Sequence, residues 1–503
     1  MKLIDLVEKA GLIDDFDIQD RFRNLSVKGL ESDSRKIGAG YIFCAIPGEK
    51  RDGREYISTA LDNGAVAVLL PDDTDTDQYA DRHDIAFVMS ASPRQDLCKL
   101  AAAFFDRQPE TIVAVTGTNG KSSVVNFIRQ IWSAYGYNAA SLGTIGLQKG
   151  NVLRPGSLTT PDPVQLHKDL DEAAREGVTH LAIEASSHGL HQYRLDGVMI
   201  SAAAFTNLTH EHLDYHKTYE NYRAAKGRLF SDLLPQGKEA VLNADSKEFS
   251  YYQKICSDRG QTVLSFGHQG KDLKILERNP HPQGQNVSVE AFGTTYQLDL
   301  PLVGEFQLMN VLCAAGLCLS QMPDREDAVK DIFEICQSLQ PVRGRMELIS
   351  GHPENAAIYI DYAHTPDALE TVLKSLRPHT ENNLVCVFGC GGDRDRNKRP
   401  MMGKIASHLA DKVIITDDNP RTEDPAVIRR AIMDAAGDAQ EIGSRQEAIE
   451  QAVMSLQKGD VLLIAGKGHE QGQIIGEEVF PFDDVEKTRD ALSKFYNNGD
   501  QVK

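Results

Sequence analysis

The apolar positions along the chain fall into two periodicities that exchange in a regular order. In the first ~90 residues short apolar runs separated by turns, "GYIFCAIPG" (40–48) and "GAVAVLL" (64–70), predict strands, and "SPRQDLCKLAAAFF" (92–105) then predicts a helix. A new unit begins at the strand Ile112–Val115. After it, "HLAIEAS", "AAAFTNL" and "KEAVLNA" are strands alternating with helical stretches, which predicts a mainly parallel sheet covered by helices. Residues 262–304 break that rhythm: "TVLSF", "VSVEAF" and "TYQLDLPL" alternate between turn residues and predict an antiparallel β segment, followed by the helix "FQLMNVLCAAGLCLSQ". Past a boundary near "SLQPVRGRME" (338–347), the strands "AIYIDYA", "LVCVFGC", "KVIITDD" and "DVLLIAG" predict a further α/β domain. The expectation is an α/β protein of three domains, residues 1–90, 91–339 and 340–503, with a central P-loop-type parallel sheet carrying a β-rich segment and a C-terminal Rossmann-like domain.

Composition narrows this picture rather than changing it. A length of 503 residues is too great for one core, and 41% hydrophobic with 25% charged residues is ordinary for a soluble globular protein. The net charge of −19 argues against non-specific nucleic-acid or anionic-membrane binding. The sequence contains no apolar run long enough to span a bilayer, and acidic residues interrupt the N-terminal stretch where a signal peptide would be apolar. Eight cysteines show no CxxC pair and no zinc-site spacing, the pattern of reduced core thiols in a cytoplasmic protein.

The candidate chemistry starts at "VTGTNGKSSVVNFI" (115–128). A strand, a turn holding Gly117, Thr118, Asn119 and Gly120, and then Lys121, Ser122 and Ser123 opening a helix form a phosphate-binding arrangement. Backbone N–H groups and the helix N-terminus face an anion, Lys121 reaches terminal phosphates and Ser122 ligates Mg2+. Val115 stands where the strict GxxxxGK[ST] pattern has glycine. Val124, Ile128, Ile131 and Tyr135 are expected on one buried face of the helix. Glu184 ends one strand and His212 follows another, so both are expected at the carboxyl edge of the sheet beside the loop, where they suit Mg2+ coordination. Taken singly, Glu184 reads rather as a solvated strand end and His212 as a loop cap. Lys226, on the helical stretch "YRAAKGRLF", reads by periodicity as a lysine snorkelling from the surface. The basic clusters "GEKRDGR" (48–54) and "GGDRDRNKRP" (391–400) are solvated loops or sites for an anionic substrate.

The motifs "TGTNGKSS", "EASSHGLHQYR", "NLTHEHLDYHKTYENYRAAKGRLF", "DYAHTPDAL", "GCGGDRDRNKRP", "DDNPRTEDP" and "GKGHE" occur in this order over residues ~32–470, and with them the chain resembles the Mur ligase family, in particular the members that add the third residue of the peptidoglycan stem peptide. The resemblance implies an N-terminal uridine-nucleotide domain, a central ATPase and a C-terminal amino-acid domain. It implies ATP as cosubstrate, two Mg2+ ions, and a carbamylated Lys226 that joins Ser122, Glu184 and His212 as metal ligand, with Lys121, Glu184, His212 and Lys226 as the catalytic set. It implies further ATP contacts from Asn310, Arg345 and Asp361, and contacts to a UDP-N-acetylmuramoyl-dipeptide from Ser32, Ser34, Glu49, Lys50, Arg51, Thr159, Thr160, Ser186, Gln192 and Arg194. The amino acid it implies is meso-diaminopimelate, held by Arg394, Asp418, Asn419, Pro420, Arg421, Gly466 and Glu470, because lysine-adding members generally lack the arginine at 421. Three positions depart from the family's usual pattern: Glu211 for aspartate, Gln307 for asparagine, and Ser122–Ser123 for a threonine pair. The rival readings are an L-lysine-adding ligase of the same family, folylpolyglutamate synthetase, and a P-loop ATPase switch that hydrolyses ATP without an acceptor.

Overall fold

The computed structural model describes residues 1–48, 51–156, 158–209 and 211–499, so the expected contacts of Glu49 and Lys50 lie outside the described residues. The chain forms two compact units, one of residues 1–266 and 313–325, the other of residues 267–312 and 326–503.

The first unit holds two sheets. Near the N-terminus Gly29–Glu31, Tyr41–Cys44, Ala65–Pro71 and Ala86–Ser90 pair in chain order, all parallel. In the second sheet Thr262–Gly267, Glu239–Asn243, Ile200–Phe205, Thr111–Thr116, His180–Glu184 and Ala139–Gly143 lie side by side and parallel, and Gly146–Lys149 and Val152–Pro155 extend the far edge antiparallel. The central strands are runs of small and β-branched residues buried on both faces, as a helix-covered parallel sheet requires. Pairing is in register from Thr111↔His180 to Val115↔Glu184, and Thr116 lies opposite Phe205. That register brings the ends of three strands to one level at the carboxyl edge, where the chain reverses strand order and ligands of such sheets bind.

The helix Lys121–Ala134 packs on this sheet through Val124, Phe127, Ile128, Ile131 and Trp132. Tyr135 departs from the expected buried face: it caps the helix C-terminus and is 36% exposed, while Trp132 fills the core. One helical turn beyond Ile131 the chain has left the sheet, so periodicity continued past the surface it was reading. A second departure concerns "TVLSF". Its strand pairs parallel with Glu239–Asn243, and the antiparallel segment consists of Leu273–His281, Gly284–Ala291 and Thr294–Leu300 in the second unit. The first of these, "LKILERNPH", ends in polar residues and a proline, which hides a strand from pattern reading.

The second unit also contains a six-stranded sheet ordered Glu347–Ile349, Ala357–Asp361, Val461–Ala465, Leu384–Phe388, Lys412–Ile415 and Gln440–Glu441, parallel except at its first strand. Apolar clusters cover both its faces. All eight cysteines are buried and none is in a disulfide, as a core role requires. Among the described residues no helix is long and apolar enough to cross a membrane.

Beneath the carboxyl edge of this six-stranded sheet lies an ion pair fully shielded from water. Arg445 donates two hydrogen bonds of 2.7 Å to the Asp484 carboxylate and a third, of 3.0 Å, to the carbonyl of Ala465, the last residue before the loop 466–470. Removing one partner leaves a buried charge uncompensated. Asp484→Ala is expected to destabilise the protein by about 3–5 kcal/mol in denaturant unfolding. A loss below about 1 kcal/mol, the range of exposed pairs, would show that the pair does not anchor this edge.

Candidate active site

In the first unit the turn after Thr116 is shaped by contacts that leave no room for side chains. Gly117 has φ +150°, and a Cβ there would sit 1.9 Å from Thr206 Oγ1; Gly120 caps the helix at φ +90°. The loop is pinned to the neighbouring strand's exit: Thr118 N donates to Asn207 O (2.8 Å), Asn119 N to Asn207 Oδ1 (2.9 Å) and Thr206 Oγ1 to Asn119 O (2.6 Å). Thr118 Oγ1 shares a 3.0 Å hydrogen bond with Tyr222 OH and accepts another from Thr209 N. Ser122 and Ser123 begin the helix, half-buried at its N-terminus.

Two lysines enter this loop from different elements and donate to the same carbonyl. Lys121 Nζ reaches Gly117 O and Thr118 O, each at 2.9 Å; Lys226 Nζ reaches Gly117 O at 2.8 Å and lies 4.6 Å from the centre of the Tyr222 ring. Lys226 is 1% exposed, so the surface-snorkelling reading is overturned: the helix Tyr219–Arg228 turns this side chain inward with Tyr222 and Ala225. Burial, then the neighbouring Lys121, push the Lys226 ammonium well below the usual lysine range, against a smaller pull from Glu211. Lys121 is lowered by burial and held up in part by Glu184 and Glu211.

Glu184 is 1% exposed, which overturns its reading as a solvated strand end. Its carboxylate accepts from Thr144 N (2.8 Å), Thr144 Oγ1 (3.2 Å) and the Ser122 hydroxyl, and a Cβ on Gly143 would lie 2.0 Å from Oε1. Burial raises its pKa, opposed first by Lys121 and then by those hydrogen bonds. His212 stands apart from this trio. It has φ +56°, its side chain is 43% exposed, and its contacts are Glu211 at 3.8 Å and the rings of His188 and Tyr222. Among the described residues no three His, Cys, Asp or Glu side chains converge as a ready metal site. The donors at the loop are nevertheless hard oxygens, the Ser122 hydroxyl and the Glu184 carboxylate, which suit Mg2+. Burial weakens the hold of Lys226 on its proton, and the neutral amine is the form that adds to CO2, so the residues fit a carbamate and the oxygen ligands it would supply.

Five more expected residues meet beside Glu184. Thr160 Oγ1 donates to Glu184 O (2.8 Å) and accepts from Ser186 N (3.0 Å), and Ser186 caps the helix Ser187–His191. Arg194 donates to Thr160 O (2.7 Å) and to Gln192 Oε1 (2.6 Å). Thr159 accepts from Thr144 Oγ1 at 3.0 Å. Near the N-terminus, Ser32 is exposed and Ser34 buried at the start of a 3-10 turn after the strand Gly29–Glu31, and exposed Arg51 lies 3.4 Å from Tyr56 OH.

In the second unit Asp361 ends its strand and accepts from Met346 N and Ala363 N, both at 2.8 Å; burial raises its pKa against the pull of Arg345, whose guanidinium lies 4.7 Å from the Tyr362 ring centre. Gln307, the unusual residue, accepts from Asn310 Nδ2 at 3.1 Å. At the same sheet's carboxyl edge Asp418 and Asn419 are buried, Asn419 Nδ2 donates to Glu470 Oε2 (2.9 Å), and a Cβ on Gly466 (φ +117°) would lie 3.2 Å from Asp418 Oδ2. Arg421 has φ +50° and donates to Gly392 O at 2.9 Å. It forms no ion pair among the described residues: Glu423, its acidic neighbour, is taken by Arg399 (2.9 Å) and Arg396 (3.3 Å). Gly392 could carry no Cβ, because Pro420 O would be 1.9 Å away. Arg394 is exposed and donates to Asp393 O.

Sequence reading missed Thr144, Tyr222, Thr206 and Asn207, which hold Glu184 and the loop. They come from separate turns and helices, and only strand register brings them together.

A nucleotide-type phosphate loop at the switch point of a parallel sheet, with a buried carboxylate, one buried lysine and one half-buried lysine, defines an ATP-using α/β enzyme. The model of the Mur ligase middle domain matches residues 115–318, that of the Mur ligase glutamate ligase domain residues 344–468, and that of the Mur ligase family catalytic domain residues 26–105, and the chain belongs to the Mur ligase family. A Caulobacter vibrioides protein named UDP-N-acetylmuramoyl-L-alanyl-D-glutamate--2,6-diaminopimelate ligase is 49% identical over 472 residues, 93% of this chain and 95% of its own. A Bradyrhizobium diazoefficiens protein of the same name is 47% identical over 497 residues, 98% of this chain and 99% of its own. A solved structure of a ligase of that name superposes with a TM-score of 0.75 at 34% identity, covering 99% of this chain and 100% of that one.

Gly117→Ala is expected to abolish ATP binding in calorimetry while the circular dichroism of the folded chain persists, because the added methyl cannot coexist with Thr206 Oγ1. ATP affinity within about threefold of wild type would show that the turn does not hold the phosphates.

Proposed function

We propose that the protein catalyses ATP-dependent amide-bond formation, adding meso-diaminopimelate to the γ-carboxyl of the D-glutamate in UDP-N-acetylmuramoyl-L-alanyl-D-glutamate. The observation that carries the choice of amino acid is Arg421: a guanidinium fixed by backbone carbonyls, with no carboxylate partner among the described residues, beside Asp418, Asn419 and Glu470. The distal end of meso-diaminopimelate is zwitterionic, with an ammonium for the acidic side chains and a carboxylate that an arginine binds bidentately. L-Lysine would leave that guanidinium without its anion, an unfavourable outcome for a half-buried charge.

In this reading residues 1–90 hold the uridine nucleotide through Ser32, Ser34 and Arg51, residues 91–339 carry the ATP site, and residues 340–503 bind the amino acid. Asn310, Arg345 and Asp361 are further ATP contacts, and Thr159, Thr160, Ser186, Gln192 and Arg194 hold the peptide arm. A γ-carboxylate oxygen bonds to the γ-phosphorus of ATP as the bond to ADP breaks, giving an acyl phosphate. The amine nitrogen then attacks the acyl carbon, the C–O bond to phosphate breaks, and the nitrogen loses a proton. Lys121 and the loop N–H groups stay on the phosphoryl oxygens through the transfer, so the protein contributes placement and charge neutralisation. Ser122, Glu184, His212 and a carbamylated Lys226 would hold Mg2+, which screens the phosphate charge when bound. The whole cycle takes place in the cytoplasm, where ATP is supplied.

The test is phosphate release from ATP with the nucleotide dipeptide and candidate amino acids, with product mass determined. Turnover is expected only with all three substrates, and with meso-diaminopimelate far better than L-lysine. In the same assay Arg421→Ala should lose roughly 2–5 kcal/mol in kcat/KM for meso-diaminopimelate. An unchanged preference would remove Arg421 from recognition, and acceptor-independent hydrolysis would favour the ATPase switch. Lys226→Ala is expected to be nearly inactive and partly restored by short carboxylates such as acetate or formate, which replace the missing anionic ligand. Full activity in the unsupplemented variant would sink the carbamate.

A further inference from the structure

The loop 466–470 holds a lysine that is 0% exposed, in the same edge of the second unit as Asp418 and Asn419. Lys467 Nζ donates to Asn419 Oδ1 at 2.8 Å and lies 3.4 Å from Asp418 Oδ1 and 3.5 Å from Glu470 Oε2. An ammonium has three donors and no acceptor, so three oxygens around it leave it fully used.

This arrangement has two consequences. Asn419 Oδ1 accepts from Lys467 Nζ and also from Ile474 N at 3.0 Å, so the carboxamide cannot rotate without losing both; its Nδ2 must therefore face Glu470. The same contacts reach Arg421: Ile474, whose N–H binds Asn419, accepts from Arg421 N at 3.0 Å, and Gly476 N donates to Arg421 O at 2.7 Å. A buried ammonium thus sets an amide, the amide sets a strand, and the strand sets the backbone of an arginine in the left-handed region that non-glycine residues seldom adopt. Two carboxylates face this ammonium, with the Arg445–Asp484 pair acting on the same cluster, and their remaining lone pairs are acceptors for a substrate ammonium.

We propose that Lys467 is a positioning residue for recognition of the distal end of the incoming amino acid, fixing Asn419, Asp418 and Glu470 for its ammonium and Arg421 for its carboxylate. The proposal rests on the reading of this edge as the amino-acid site. A lysine serving only to neutralise buried acids would support the fold and nothing more; its loss would lower the active fraction and kcat alike for every substrate. A positioning lysine acts on one substrate.

The experiment uses the full-length enzyme with Lys467→Met, nearly the same length without charge, and Lys467→Gln, which retains a donor. KM is measured separately for meso-diaminopimelate, ATP and the nucleotide dipeptide, and kcat/KM is compared between meso-diaminopimelate and L-lysine. The expected result is a KM for meso-diaminopimelate raised at least about tenfold, the other two KM values within about twofold of wild type, and a preference over L-lysine reduced at least about tenfold. Unchanged selectivity, or a fall in kcat with all three KM values intact, overturns the proposal. So does failure of both variants to fold, which makes Lys467 a structural support. A wild-type enzyme that does not use meso-diaminopimelate removes the amino-acid assignment as well; a wild type that does, with variants of unchanged selectivity, removes this proposal alone.

Discussion

Two lysine side chains converge on the carbonyl of Gly117, and much of the first unit is arranged around tolerating them. Lys121 and Lys226 each donate to that oxygen, at 2.9 and 2.8 Å, with the deeply buried carboxylate of Glu184 beside them. Like charges this close in a poorly solvated site disfavour double protonation, and the more buried amine yields first. At two points the backbone passes its neighbours with no space for a Cβ: Gly117 in the loop faces Thr206, and Gly143, at the end of the strand Ala139–Gly143, faces Glu184. The register Val115↔Glu184 is part of the same constraint, since a slip of one residue would turn the carboxylate to the other face of the sheet.

The edge of the second unit proposed to hold the amino acid is built with the opposite sign. There a single ammonium, Lys467, faces Asp418 and Glu470, and Arg421 is held by carbonyl contacts while Glu423 pairs with Arg399 and Arg396. Leaving Arg421 without an ion pair among the described residues costs stability that such a pair would have supplied. In the proposed site that cost keeps the guanidinium for a ligand, and rigid placement of this kind lowers the ordering cost of binding. Selectivity for a zwitterionic end would then come from fixed charges of opposite sign rather than from the volume of a pocket.

How far this was legible in the sequence depended on whether a residue's role is local. The phosphate loop was readable because glycine spacing, the lysine and the helix start all lie within a few positions. The central strands were readable because burial on both faces leaves unbroken apolar runs. Lys226 was misread by periodicity: its helix carries a low density of apolar residues, and what draws the lysine inward is the loop at Gly117, 109 residues away. Family resemblance supplied its place at the site, which helical spacing could not. Thr144 and Tyr222 escaped for the same reason, since each contact crosses strand register. In the antiparallel segment, the polar and proline-containing strand Leu273–His281 was missed, and "TVLSF" was put in its place although it pairs with the parallel sheet.

Lys467 shows where this limit is sharpest. In sequence it is a lysine between two glycines, which reads as a solvated loop residue. Its burial is decided by those glycines: Gly466 and Gly468 have positive φ, and a Cβ on Gly468 would lie 2.7 Å from Gly344 O. The chain can therefore press close against its neighbours and fold the intervening side chain inward. Once inside, the ammonium has no water and must take its three acceptors from Asn419, Asp418 and Glu470, so the conformation of two glycines determines the orientation of an amide 48 residues earlier in the chain.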